Sequence, residues 1–333
     1  MNNKRQPLSF IPPLLPDQTL YSWVSIFHEM SGNATEQETL IQLFGSERAG
    51  RHFHIPSHLA TFCAATQLTL GPPEVIATSA TILPAYLRFR PNSTNSNVLQ
   101  RIYGNQTAGI AQTLRTSSTP LHTFPPRRYC RLCIERDLQR EGIAYWHRTH
   151  QLPGVLVCID HGIPLSATPM SSHDNRHGKL FTPEQDLLNA SEPSSANQYS
   201  DRQLFILDRL ALLAQQIATT QLPGGYTRTR LRQACIAALI DRGLFDSDTT
   251  ACAMNASRDY ANHFAPTLRV PDLAPILSER STRLLWNLLS NTQHPDHPIE
   301  YLLLIDWLFG NWEIFWSQYS KQQRDVTTTA SFI

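Results

Sequence analysis

Where apolar residues cluster along the chain, they recur mostly at three- and four-residue steps, the period of a helix lying against a core. Leu20, Trp23, Val24 and Phe27 define one such face, with Asp17 placed to cap it and Gly32 to stop it. A second, shorter helix is predicted around Glu36 to Phe44, ending at Gly45. Helix, glycine-containing break, helix is the outline of a helix-turn-helix unit. Ser57 is placed to cap another helix carrying Leu59, Phe62, Cys63 and Leu68, which Gly71-Pro72-Pro73 ends before Glu74 to Thr81 starts the next. Pro84, Pro91 and the polar run Asn92–Asn97 read as a loop, with a further helix over Leu99 to Leu114. The helical period is strong again over Asp201 to Thr220, where Leu204, Leu207, Leu210, Leu213 and Ile217 align. Pro223-Gly224-Gly225 breaks it, and Thr227 to Arg242 continues, with Gly243 as its C-cap. One or two short helices are expected in Asp246–Phe264, and two more over Ser278–Asn291 and Pro298–Gln318. In the last of these, Leu308, Trp312, Phe315 and Trp316 have the spacing of a packed face.

These elements give a mainly α fold, with helix-turn-helix modules around a small cysteine-bearing module. The predicted organisation is an N-terminal helical domain over 1–123, the cysteine module over 124–165, a linker or irregular excursion over 166–200, and a C-terminal helical domain over 201–333. The excursion is rich in Ser, Asn, His and Pro. Residues 1–16, with Pro7, Pro12, Pro13 and Pro16, read as an extended arm.

Composition narrows the class. A 41% apolar fraction over 333 residues supports a buried core. No apolar run approaches the ~18 residues of a membrane span, and no signal peptide is read at the N-terminus. Six cysteines are too few for a disulfide scaffold, which favours a cytoplasmic setting. The net charge of +1 argues against coating nucleic acid by bulk charge. Yet Arg88 to His150 holds ten arginines against Glu135, Asp137 and Glu141, a local net of +7 without a lysine. Arginine's planar fork binds two phosphate oxygens at once, so this window is a candidate nucleic-acid face.

Within that window begins the pattern with the most chemistry. Cys130-x2-Cys133 and Cys158-x2-His161 are ligand pairs with identical gaps, 24 residues apart. Two such knuckles complete a tetrahedral Cys3His site with no open position, which predicts one structural zinc. His147 and His150, flanking Arg148, read as surface or phosphate-facing, and only secondarily as replacements for His161. A zinc deaminase would require an H-x-E ahead of P-C-x-x-C, and neither occurs. No Walker A, dinucleotide, nucleophile-elbow or H-E-x-x-H signature is present, so no enzymatic activity is expected.

The motifs around the knuckles are longer than a zinc site requires. Arg128-Tyr129-Cys130-x2-Cys133, then Trp146-x-Arg148-x-His150-Gln151-Leu152-Pro153, then Cys158-x2-His161-x3-Leu165 resemble the pattern of the TniQ/TnsD family of transposon target-selection proteins. Leu15 to Trp23 is similar to that family's opening, and Pro56 to Leu59 and Thr81 to Pro84 have counterparts too. The resemblance implies an adaptor without chemistry of its own. It would bind target DNA, an RNA-guided Cascade–crRNA complex, or both, and recruit the AAA+ ATPase regulator TnsC. A homodimer is among the states it implies. The residues by themselves equally suit a zinc-stabilised helix-turn-helix transcription regulator.

Candidate DNA contacts are Arg127, Arg128, Arg131 and Arg148 around the knuckles, and Arg228, Arg230 and Arg232 at a helix start, where Arg228 and Arg232 share a face. Tyr129, Tyr145 and Trp146 fit the core of a small metal module better than a stacking platform. Leu14 and Leu15 of the arm are candidates for the ATPase contact.

Overall fold

Thr19 starts the first helix, α1 (Leu20–Ser31), its hydroxyl oxygen accepting from the Ser22 amide at 3.1 Å. The expected cap, Asp17, is used elsewhere: it holds a left-handed φ of 57° and turns its carboxylate to the Thr149 amide and hydroxyl. In this computed structural model, residues 8–47, 49, 57–106, 109–114, 126–168, 179–185, 199–245, 249–279, 285, 287–289 and 297–329 are described.

α2 (Glu36–Phe44) keeps its expected bounds, capped by Thr35 and closed by Gly45. α3 (Leu59–Ala65) is shorter than its apolar pattern suggested. The Thr66 hydroxyl bonds back to the Phe62 and Cys63 carbonyls, Gln67 and Leu68 follow with positive φ, and Leu68 is exposed. α4 (Pro73–Ser79) and α5 (Leu83–Leu87) follow. The polar run read as a loop is the start of a helix, α6 (Asn92–Tyr103). Pro91 precedes its first residue, the Asn95 side-chain amide donates to the Leu87 and Arg90 carbonyls, and Val98 and Ile102 supply the buried face. Polar residues thus occupy helical positions here because tertiary contacts reward them, against their local preference. α7 (Ile110–Thr113) is a single turn.

The cysteine module is built on β1 (Arg128–Tyr129), α8 (Arg131–Glu141) and β2 (Ser166–Ala167). The strands pair antiparallel, Arg128 opposite Ala167 and Tyr129 opposite Ser166.

α9 (Asp201–Thr219) opens on a complete capping box between Ser200 and Gln203. α10 (Arg228–Asp241), a single α11 (Thr249–His263) and α12 (Ala274–Glu279) follow. The helix expected over Ser278–Asn291 falls largely outside the described residues. The stretch Pro298–Gln318 is two helices, α13 (Pro298–Phe309) and α14 (Trp312–Thr329), separated at Gly310 with φ +73°. Consequently Leu308 and the Trp312–Phe315 pair reach the core from different helices, while Trp316 is left exposed.

One hydrophobic cluster runs from Leu20 to Tyr319. Every residue of α13 is buried, so its sequence is largely apolar, and its two carboxylates have partners: Glu300 in the helix cap and Asp306 against Arg209 and His263. Phe89, just past α5, stacks on Tyr301 of α13 with centroids 4.2 Å apart, and the Arg88 Nε donates to the Ile217 carbonyl of α9 at 2.7 Å. Gly154 of the cysteine module sits against α13 with φ +85°, where an added Cβ would collide with the Leu302 Cδ2. Gly154→Ala is therefore expected to lower stability by about 2 to 3 kcal/mol, from backbone strain plus overpacking. Thermal unfolding measures it, and an unchanged melting temperature would contradict this packing.

The segments read as an extended arm and as a linker or irregular excursion are both held in part by the core. In the arm, Phe10 stacks on Phe27, the Trp23 indole donates to the Pro12 carbonyl at 2.9 Å, and Leu8, Ile11 and Leu14 pack alongside. Residues 8–16 are thus a strap across α1, and Leu14 and Leu15 are half-buried. In the 166–200 stretch, Ser166–Ala167 form β2, Leu180 is buried, and the Phe181 carbonyl accepts the Trp146 indole N–H. Residues 169–178 and 186–198 of that stretch lie outside the described residues.

Candidate metal centre and the arginine-rich window

β1 delivers Cys130 to the start of α8, whose first turn carries Cys133. The second knuckle is a tight return: the Cys158 amide bonds the Ile163 carbonyl, the Gly162 amide bonds the Cys158 carbonyl, and Gly162 turns at φ +64°. The two knuckles face each other. His161 Nδ1 lies 3.5 Å from Cys130 Sγ and 3.4 Å from both Cys133 and Cys158, and Cys133 and Cys158 are 3.6 Å apart. All four ligand atoms fall within 4.8 Å of one another, and the three cysteines are buried. With Zn–S near 2.3 Å and Zn–N near 2.0 Å, a tetrahedral edge is about 3.5 to 3.8 Å, close to these separations, so the arrangement can hold a metal ion.

Charge supports the same conclusion. Hydrogen bonds from Cys133 and Cys158 pull the Cys130 thiol well below its usual range. That same interaction pushes Cys133 far up and Cys158 up to about 11. Three sulfurs this close cannot all ionise unaided, and a divalent cation is what makes three neighbouring thiolates stable together.

Residues that sequence reasoning passed over support the cluster. Arg136, one helical turn after Cys133, places Nη1 2.7 Å from Asp160 and Nη2 3.5 Å from the Cys133 sulfur. The hydrogen bond from Arg136 holds the Asp160 carboxyl below its usual range. The one available signal was spacing: Arg136 is three residues from Cys133 on a helix, and Asp160 sits inside the CxxH gap.

His147 and His150 are not at the surface. His147 is buried, stacked on Tyr145 at 4.4 Å, with Nε2 2.8 Å from Asp137. His150 is buried with Nε2 3.9 Å from Cys133 Sγ, and desolvation pushes its pKa down to about 3, so it stays neutral. The sequence could not separate these rings from solvated ones, because the partners, Asp17 and Asp137 for His147 and the Cys133 sulfur for His150, come from other elements. A cleft of about 330 Å³ opens beside the cluster, lined by Arg136, Asp137, His147, His150, Cys158 and Asp160 among others. Tyr129, Tyr145 and Trp146 are buried, in the core as their pattern suggested.

The candidate DNA-contacting arginines divide sharply. Arg127 is buried between the Tyr21 and Phe181 rings, each 4.3 Å from its guanidinium carbon, and donates to the Tyr21 hydroxyl. Arg128 is buried and paired with Asp272 at 2.5 Å. Arg148 reaches Asp17 and the Thr78 carbonyl. Arg230 lies over the Tyr319 ring and donates to the Pro223 and Tyr319 carbonyls, while Arg232 donates to Leu288 and Leu289. Arg131 and Arg228 are exposed. Elsewhere in the +7 window, Arg88, Arg90 and Arg101 also donate to backbone carbonyls, and Arg140 is exposed. Much of that local charge is therefore structural, with guanidinium forks closing chain segments that have lost their own hydrogen-bond partners.

Comparison with known proteins places this geometry. The TniQ family model matches residues 9–165, which includes the strap, α1 to α8 and both knuckles. The transposon Tn7 transposition protein TnsD of Escherichia coli is 21% identical over 204 residues, 61% of this chain. The match spans 40% of that protein's length. Residues 9–165 thus match the TniQ family model, and the similarity to TnsD agrees with that match.

Proposed function

We propose that this chain is a target-site selection adaptor in DNA transposition. The observation that carries the reading is the TniQ domain over residues 9–165, folded around the Cys3His cluster and supported by the similarity to TnsD. One zinc ion, bound by Cys130, Cys133, Cys158 and His161, acts as a structural tie. Its four protein ligands leave no position for a reacting water, so the role assigned to the chain is non-catalytic.

On this reading the adaptor binds target DNA or a Cascade–crRNA complex on one surface. It recruits the AAA+ ATPase TnsC on another, as a monomer or a homodimer in the cytoplasm. The DNA side centres on Arg131 and Arg228, whose side chains face solvent. The outer face of α2 carries Glu36, Gln37, Glu38 and Ile41 with no cation, so it suits a protein partner better than phosphate. Residues 1–123, 124–165 and 201–333 act as successive units of one adaptor, with 166–200 joining the last two.

The test is co-purification with a TnsC-type AAA+ ATPase, with and without DNA, alongside salt titrations of DNA binding. Retention of the ATPase is expected. Arg131→Gln with Arg228→Gln should flatten the salt dependence by about 0.9 log units per log salt for each phosphate left unneutralised. DNA binding with no ATPase retained would favour the transcription-regulator reading, and an unchanged salt slope would move the DNA surface away from these two arginines.

A further inference from the structure

The four sulfur and nitrogen ligands are not equivalent in their surroundings. Cys133 is approached from outside the cluster by two nitrogen atoms on different elements. Arg136 Nη2 comes from α8 at 3.5 Å, and His150 Nε2 comes from the segment between the knuckles at 3.9 Å. Arg136 does more than donate to sulfur. Its Nη1 holds Asp160, which lies between Cys158 and His161, so one guanidinium grips both knuckles at once. Asp137 Oδ1 stands 3.7 Å from the Arg136 Nε and fixes the fork's third side. His150 is enclosed, and its Nδ1 has no hydrogen-bond partner, so Nε2 is the ring atom through which it interacts.

A thiolate that accepts N–H donors is less electron-rich, and donors held by their own partners fix a ligand's orientation. Three thiolates and one imidazole around a divalent ion leave a net charge of −1, which a guanidinium at hydrogen-bond distance offsets. We propose that Arg136 and His150 are positioning residues for the metal centre, which donate to the Cys133 sulfur while Arg136 and Asp160 clip the two knuckles together. This rests on the zinc reading above.

The test uses the full-length protein with cobalt(II) replacing zinc, and Arg136→Met, His150→Phe and His150→Gln variants. Loss of a donor makes the sulfur easier to oxidise, so the sulfur-to-cobalt charge-transfer band should move to longer wavelength in Arg136→Met and His150→Phe. His150→Gln, which restores an N–H near the Nε2 position, should return the band toward wild type. Arg136→Met should also weaken zinc binding roughly tenfold in a chelator competition. Arg136 lies partly at the surface, so its variant reports even if His150→Phe fails to fold. An unshifted band and unchanged zinc affinity in folded Arg136→Met would overturn the proposal and leave the zinc reading intact. A wild-type protein that takes up neither metal would overturn both.

Discussion

Cys133→Ser is expected to strip the protein of stoichiometric zinc and unfold the region around both knuckles. A structural zinc of this type contributes on the order of 10 kcal/mol to folding, comparable to the whole net stability of a domain. The consequences should not stay local. Gly154 packs against α13, and Trp146 and Leu152 belong to the same continuous core as α1. Losing the tie between Cys130–Cys133 and Cys158–His161 therefore removes one wall of that core. Elemental analysis should read one zinc per chain in the wild type and substantially less in the variant, with a large fall in melting temperature. A variant that keeps full zinc content and the wild-type melting curve would rule out the four-ligand assignment.

Arg127→Ala should cost about 3 kcal/mol of stability. A buried guanidinium stacked on aromatic faces is worth ~2 kcal/mol or more, and its hydrogen bond to the Tyr21 hydroxyl adds to that. Both Tyr21 on α1 and Phe181 lose their stacking partner, and the Trp146 ring, 5.5 Å away, loses its cation. The side chain thus ties the N-terminal helices to residues 179–185. The informative comparison is with Arg131→Ala at the exposed start of α8, expected to change stability by less than about 0.5 kcal/mol. Denaturant unfolding of the two variants separates them. Similar midpoints would mean that the aromatic sandwich does not bear on folding.

The Cys3His cluster was legible from the sequence because each half of it is local: two C-x2-ligand turns each fix their geometry within four residues, whatever surrounds them. The bounds of α2 and α9 were legible for a related reason, since Thr35, Gly45 and Ser200 cap their helices through neighbouring backbone atoms. The family motifs were also carried by contiguous residues. What the sequence left open was decided at a distance. Asn92–Asn97 became helical because Asn95 finds carbonyls at Leu87 and Arg90 and α6 has a core to cover. Asp17 gave up its cap to hold Thr149, 132 residues away, and the Pro-rich arm became a strap because Phe27 and Trp23 offered it a ring face and an indole N–H. The same holds for the arginines. A guanidinium looks alike in the sequence whether it faces a phosphate or a buried carbonyl, and burial alone assigns Arg127, Arg128 and Arg230 to the interior. Short-range chemistry therefore fixed the two knuckles and the helix caps of α2 and α9, while the choice between structural and solvent-facing charge required the folded chain.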